Sequence, residues 1–68
     1  MFAPGIATHI RKLRRAQELK QSELAAAVGI SQALLSAIEK GRRQIQPWHV
    51  EPLAVALGVS PRALLRNR

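Results

Sequence analysis

The sequence predicts an all-α fold made of five short helices. Apolar residues recur at spacings of three and four in successive segments, which is the pattern of helices with one buried face. Residues typical of helix starts and ends, such as Ser60-Pro61 and Gly58, separate these segments. No segment shows the strict alternation of a half-buried strand. At 68 residues the chain has room for one domain, residues 1–68, with one small core.

The first helix is predicted to follow Pro4-Gly5 and to run from about Ile6 to Glu18. Its buried stripe repeats every three or four residues and consists of Ile6, Ile10 and Leu13. Arg14 is adjacent to this stripe, so its partial burial requires a carboxylate partner. Three further cations lie off the stripe, where a solvated face is expected more than a role in binding: Arg11, Lys12 and Arg15.

Residues 21–41 are the segment around which the rest of the chain is organised. A second helix is predicted to end before Gly29, because glycine adopts the left-handed conformation without a Cβ clash. Ser31 can cap a third helix, in which Leu35 and Ile38 face inward. Two short helices joined by a three-residue turn form a helix-turn-helix.

The outer face of the third helix is small and polar and consists of Gln32, Ala33, Ser36 and Ala37. Such a helix fits the major groove of duplex DNA while flanking cations meet phosphates. The flanking cations are Lys20, Lys40, Arg42 and Arg43. Leu34 lies between the two faces and either joins the core, which is the favoured interpretation, or meets a thymine methyl group.

Lys20 is in conflict with its position at the start of the second helix. Ser, Thr, Asp or Asn usually caps there, and loss of the cap costs about 1 kcal/mol. A cation at this end also opposes the helix dipole. Unpaired N–H groups beside a lysine form a phosphate site, and a departure from local rules is often functional. The alternative is that the fold merely tolerates this lysine.

After Gly41 a loop leads into the fourth helix, for which Pro47 suits the first position. Pro52 cannot lie deep in a regular helix, so the helix is expected either to restart near Glu51 or to kink. The fifth helix is predicted from the Ser60-Pro61 cap through about residue 66.

The charge balance indicates a polyanionic partner. Eleven Lys and Arg residues face four acidic residues, giving a net charge of +7. The alternative is that the charge only keeps an Ala- and Leu-rich chain soluble. No apolar run is long enough to span a membrane, and no secretion signal precedes the first helix. A soluble, cytoplasmic protein is therefore expected.

No catalytic or metal site is predicted, and no cofactor is expected. The chain has no cysteine, and His9 and His49 are far apart without other ligands at suitable spacing. The serines lack a base and an acid in a catalytic arrangement, and the scattered glutamates make no catalytic pair. An enzyme is therefore not expected.

Four segments together resemble the Xre/Cro-type helix-turn-helix family, which includes phage repressors and Cro proteins. They are IRKLRRAQELKQSELA (10–25), VGIS (28–31), SAIEKGRR (36–43) and LAVALGVSPRALL (53–65). The resemblance implies a lambda repressor-like helix-turn-helix domain. It also implies a transcriptional regulator that binds double-stranded DNA sequence-specifically, with a repressor acting as a homodimer on a palindromic operator as the expected form.

The resemblance assigns roles by position. Gln21 matches the family glutamine that holds a phosphate at the start of helix two, and Gln32 matches the first recognition-helix residue, which often reads adenine. Arg14 and Glu39 match a pair that bridges helix one to the end of helix three. The remaining groove-facing positions are Ala33, Ser36 and Ala37. The predicted phosphate contacts are Lys20, Gln21, Ser31, Lys40, Arg42 and Arg43.

A dimer interface is expected around Leu64 and Leu65 of helix five, with Trp48 nearby. For Trp48 itself, packing over the core is the default expectation, and dimer or DNA-backbone contact is the alternative. A different class of function is an antitoxin or protein-interaction module that binds a toxin or coactivator. An antitoxin usually carries a tail for its toxin, and the chain ends at Arg68 with almost nothing beyond the fold, so DNA regulation is preferred. Membrane binding by a basic amphipathic helix is a weaker third alternative.

Overall fold

The structure, a computed structural model, describes residues 5–65. Its elements, in chain order, are α1 (Gly5–Ala16), α2 (Gln21–Val28), α3 (Gln32–Glu39), α4 (Pro47–Leu57) and α5 (Pro61–Leu65). Helices are the only regular elements in this part of the chain. The predicted all-α fold of five short helices is confirmed.

Helix α1 ends at Ala16, two residues before the predicted end at Glu18. The N–H of Leu19 donates to the carbonyl of Arg14 at 3.1 Å, and the N–H of Glu18 donates to the carbonyl of Arg15 at 3.0 Å. These two bonds close a Schellman cap. The cap holds Glu18 at φ +57°, a left-handed conformation that is costly for a residue with a Cβ.

The turn between α2 and α3 forms as predicted from its local signals. Gly29 adopts φ +83°, and its N–H donates to the carbonyl of Ala25 at 2.9 Å. Ser31 begins α3 as its N-cap, where its Oγ accepts the N–H of Leu34 at 3.0 Å. Both bonds satisfy backbone groups that helix ends leave unpaired, so the angle between the two helices is fixed locally.

Helix α4 runs without interruption through Pro52, so the expected restart near Glu51 is wrong. Proline removes one helical hydrogen bond, the one that would reach the carbonyl of Trp48. Helix α5 begins at the predicted cap, where Ser60 Oγ accepts the N–H of Ala63 at 3.1 Å. Its predicted extension to residue 66 lies outside the described residues.

All five helices contribute to one apolar core, and α2 packs against both α3 and α4. Its buried residues are Ile6, Ile10, Leu24, Ala25, Leu35, Ile38, Ile45, Leu53, Ala54, Leu57 and Leu64. Each fully buried Leu or Ile contributes about 1.5–3 kcal/mol relative to exposure. Ile45 belongs to the α3–α4 loop and ties this loop to the core, a contact for which the sequence has no periodic signal.

Candidate nucleic-acid interface

One side of α3 faces solvent and carries the predicted base-reading residues. Gln32 and Ala33 are exposed, and Ser36 and Ala37 are half-buried further along the helix. Leu34 is half-buried and packs against the core, as the favoured interpretation expects. The opposite side is anchored by Leu35 and Ile38, so the exposed residues belong to a helix that cannot rotate freely.

Arg14 and Glu39 form an ion pair between α1 and the C-terminal end of α3. Arg14 Nε donates to Glu39 Oε2 at 2.8 Å, and Arg14 Nη2 donates to Oε1 at 3.0 Å. The two side chains are 12% and 2% exposed. Arg14 Nη1 also donates to the carbonyl of Leu19 at 2.9 Å. A bidentate pair with an extra backbone acceptor fixes both the position and the tilt of α3 against α1.

This pair also perturbs the guanidinium. The hydrogen bond to Glu39, together with the charge of that carboxylate, raises the pKa of Arg14, although burial acts in the opposite direction. Among the described residues every buried polar side-chain atom has a hydrogen-bond partner. The charges beneath the outer face of α3 are therefore compensated, as buried charges must be.

Gln21, the first residue of α2, lies between this ion pair and the outer face of α3. Its Nε2 donates to Glu39 Oε1 at 3.3 Å, and Gln32 Nε2 donates to Gln21 Oε1 at 3.4 Å. Sequence reasoning did not predict either contact. The available signal was a glutamine at the first position of each helix of the motif, which the short turn brings together.

Lys20 provides no side-chain cap at the start of α2, as predicted, but its own backbone N–H has a partner. The N–H of Lys20 donates to Glu23 Oε1 at 2.8 Å, so a side chain three residues later satisfies this backbone group. The ammonium of Lys20 has no acceptor and cannot complete the reciprocal bond. This bond partly offsets the predicted cost of the lost cap. It also places the carboxylate of Glu23 in the first turn of α2, beside Lys20.

A basic loop, residues 40–43, follows α3 and carries three exposed cations: Lys40, Arg42 and Arg43. The N–H of Lys40 donates to the carbonyl of Ser36 at 3.0 Å, and the N–H of Arg42 donates to that of Ala37 at 2.9 Å. The loop therefore folds back over the C-terminal end of α3. Cations there complement the negative end of the helix dipole and stand beside the outer face.

Known proteins are similar to this chain in sequence and in fold. Residues 6–67 match the family described as "Helix-turn-helix domain". The chain belongs to this helix-turn-helix family. It is a family of DNA-binding transcriptional regulators, which are not enzymes, and the resemblance to Xre/Cro-type proteins is confirmed.

Three relatives illustrate the match. The uncharacterized HTH-type transcriptional regulator y4dJ of Sinorhizobium fredii is 42% identical over 55 residues, 81% of this chain and 71% of the relative. The restriction-modification controller protein C.AhdI from Aeromonas hydrophila has a TM-score of 0.84 at 32% identity, covering 88% of this chain and 91% of its own. The P22 c2 repressor, solved in complex with a synthetic operator, has a TM-score of 0.83 at 27% identity, covering 93% and 96%.

Burial corrects two predictions for this helix-turn-helix domain, the place of Leu64 in a dimer interface and the packing of Trp48 over the core. Leu64 is fully buried in the core, so it cannot meet a second copy. Trp48 does not pack over the core, since it is 70% exposed, and its ring lies at 64° to the ring of His49 with 5.8 Å between the ring centroids. Leu65 is half-buried against the core. The short helix α5 packs against both α1 and α4. Leu64 lies on the side of α5 that faces the core.

Val55 is a second exposed apolar residue, at 73%, which sequence reasoning missed. It follows Trp48 by seven residues on α4, so both lie on one side of this helix. We call Trp48 and Val55 the apolar α4 surface. A signal was present in the sequence as an apolar pair two helical turns apart, outside the stripe that contains Leu53 and Leu57.

Both histidines of the helix-turn-helix domain have structural contacts. His9 Nε2 lies 3.0 Å from the carbonyl oxygen of Ala63 and joins α1 to α5. His49 Nδ1 accepts the N–H of Gln46 at 2.9 Å at the start of α4. Within residues 5–65 no three acidic, histidine or cysteine side chains come together as a metal site. In the same range no helix is long and apolar enough to cross a membrane.

Proposed function

We propose that this protein is a repressor of transcription that binds double-stranded DNA sequence-specifically as a homodimer on a palindromic operator. The observation that carries the proposal is the exposed side of α3, which is small and polar and has cations at both of its ends. A major groove admits such a helix, and cations beside it meet phosphates. The similar P22 c2 repressor, which was solved in complex with a synthetic operator, supports the same use. Genomic DNA as the ligand implies a cytoplasmic location.

Base reading is assigned to the outer face of α3. Gln32 has the amide geometry that pairs with adenine N6 and N7, and Ser36 can donate or accept one hydrogen bond. Ala33 and Ala37 offer only methyl groups, which suit thymine. Because so few hydrogen bonds reach the bases, DNA shape supplies part of the specificity.

Phosphate contacts are assigned to the rim of this face: Lys20, Gln21, Ser31, Lys40, Arg42 and Arg43. Ser31 uses an Oγ lone pair as a cap acceptor, which leaves its hydroxyl proton for a phosphate oxygen. Glu23 opposes a phosphate near Lys20, so the basic loop contributes more than the start of α2. Each phosphate neutralised releases about one counterion and steepens the salt dependence.

The homodimer is assigned to the apolar α4 surface, with Leu65 at its side and without Leu64. One recognition helix reads only a few base pairs, and two copies on a two-fold axis double the readout. Their half-site centres then lie about 10 base pairs apart, one turn of DNA. Two exposed side chains are little area for a stable free dimer, so DNA completes the association.

Selection of binding sites from random duplexes tests the proposal. A palindrome with half-sites about one helical turn apart is the expected product. No enrichment of any sequence would contradict the proposal. The second candidate, a module that binds another protein, is favoured only by the exposed apolar α4 surface. If selection enriches a half-site bound by one copy of the protein, the apolar α4 surface is better explained as a binding site for another protein.

A further inference from the structure

A chain of hydrogen bonds leads from the buried Glu39 to the exposed side chain of Gln32, the first residue of α3. Arg14 holds both oxygens of Glu39, Gln21 donates to Glu39 Oε1, and Gln32 donates to Gln21 Oε1. Exposure rises along the chain, since Glu39 is buried, Gln21 is half-buried and Gln32 is exposed. We call Glu39, Gln21 and Gln32 the amide chain.

The direction of every bond in the amide chain is set at its buried end. A carboxylate paired with a guanidinium can only accept hydrogen bonds, so Gln21 must turn its NH₂ group towards Glu39. The carbonyl of Gln21 then faces Gln32. Since this carbonyl can also only accept, Gln32 must turn its own NH₂ group towards Gln21.

The exposed end of the amide chain is therefore left with one defined pattern. Gln32 spends one N–H on Gln21 and keeps a second N–H and its carbonyl oxygen, side by side. Adenine presents a matching donor at N6 and acceptor at N7 in the major groove, whereas guanine presents two acceptors, O6 and N7. With one N–H already engaged, Gln32 has no second donor for guanine.

We propose that Glu39, acting through Gln21, is a positioning residue that makes Gln32 read adenine in preference to guanine. The proposal rests on the DNA-reading function proposed above and deepens it. Glu39 touches no base. It sets the direction in which two amides point, which is separate from its structural bond to Arg14.

The distances indicate what kind of effect to expect. At 3.3 and 3.4 Å, the two amide contacts are longer than the usual N–H···O distance of about 2.9–3.0 Å. They orient the side chains and add little to stability. Loss of the orientation should therefore lower the preference for adenine by about three- to tenfold, less than the loss of the whole bidentate contact.

Two variants break the amide chain at different points. Glu39→Gln keeps the volume but can donate as well as accept, so the direction of Gln21 is no longer set. Gln21→Met removes the link and leaves the Arg14–Glu39 pair intact, which keeps the test valid if Glu39→Gln fails to fold. Glu18→Gln is the matched control, because it makes the same charge change at an exposed residue outside the amide chain.

The measured quantity is the ratio of dissociation constants for the selected duplex and for the same duplex with guanine replacing one adenine. The adenine chosen is the one most sensitive to Gln32→Ala. Glu39→Gln and Gln21→Met should each lower the ratio about three- to tenfold, and the double variant should lower it no further. Glu18→Gln should keep the parent ratio.

If both variants fold and keep the ratio of dissociation constants of the parent protein, the proposed role of Glu39 is wrong, while the DNA-binding function is unaffected. If only Gln21→Met folds, the same ratio in this variant as in the parent protein is enough to overturn the role of Glu39. If the parent protein selects no sequence, the proposed function itself fails. If the ratio falls as far in the Glu18→Gln control as in Glu39→Gln, the change in net charge explains the effect. That result would also overturn the proposal.

Discussion

The α2–α3 segment (residues 21–39) and the α4–α5 segment (residues 47–65) are equally long but leave different side chains on the surface. Around the outer face of α3 the exposed groups are small or polar, and Gln21 and Gln32 point towards each other. On α4 the exposed groups include Trp48 and Val55. Polar groups can exchange water for the polar edges of DNA, whereas an apolar surface gains only when it is covered.

This small domain therefore has one surface suited to a polar ligand and another suited to an apolar one. A buried ion pair between Arg14 and Glu39 joins the α3 side to α1. The apolar α4 surface lies on a helix whose other side is already in the core. In the proposed function DNA binds the first surface and a second copy of the chain binds the other.

The largest effect is expected from Glu39→Ala, which leaves Arg14 charged and largely buried. Breaking a buried pair by removing one partner costs about 3–5 kcal/mol. Because the pKa of Arg14 is raised, its share of the stability is fully present below the ordinary pKa of a guanidinium and is lost only at more alkaline pH. In the variant Arg14 stays charged at neutral pH, because a guanidinium is not deprotonated in proteins.

Thermal unfolding at neutral pH measures this effect. Glu51→Ala, which removes an exposed carboxylate from α4, is the control and should change stability by less than about 0.5 kcal/mol. If Glu39→Ala melts within a degree or two of the parent, the pair does not hold α1 to α3.

The next largest effect is expected from Leu64→Ala in α5. A fully buried leucine replaced by alanine costs about 2–5 kcal/mol, because a cavity remains where the side chain was. The neighbouring half-buried Leu65→Ala should cost clearly less. Denaturant unfolding compares the two. Equal losses of stability in the two variants would contradict the burial of Leu64. A loss of dimer formation from Leu64→Ala without a loss of stability would contradict it as well.

Trp48→Ala should separate association from stability. The side chain is exposed, so the free energy of unfolding should change by less than about 0.5 kcal/mol. Association of the second copy on a palindromic duplex should weaken by about 2 kcal/mol, as expected for a tryptophan at the centre of an interface. Sedimentation with a full palindrome and with a single half-site measures this. Unchanged cooperativity would remove the apolar α4 surface from the dimer.

The smallest effect concerns Glu18 in the connection from α1 to α2. At φ +57° a Cβ is unfavourable and glycine is not, so Glu18→Gly should stabilise the protein by about 0.5–1 kcal/mol. Glu18→Ala removes the same carboxylate but keeps the Cβ, and it should gain less. Melting temperatures distinguish the two. A destabilised glycine variant would show that this turn costs nothing in the parent.

Helix boundaries that depend on one residue could be predicted from the sequence. The end of α2 and the starts of α3 and α5 are of this kind, because a glycine or a serine decides each of them locally: Gly29, Ser31 and Ser60. The α1 end is not, because the left-handed residue of its cap is Glu18, which carries no such signal.

The candidate site divides in the same way. The outer face of α3 follows from helical spacing, so Gln32 and Ala33 were predictable as exposed residues. The contacts of Gln21 with Gln32 and Glu39 depend on how two helices pack, which periodicity does not encode. Leu64 and Leu65 are adjacent and equally apolar, so spacing alone could not tell which of them is buried.

The most direct test of the account compares Gln32→Ala with Arg42→Ala on the selected duplex and on random duplex. Gln32→Ala should cost about 1–3 kcal/mol on the selected duplex and much less on random DNA, because a base contact carries sequence information. Arg42→Ala should weaken both nearly equally and reduce the salt slope by about one counterion. Equal losses on both duplexes for Gln32→Ala would contradict the claim that the outer face of α3 reads DNA sequence.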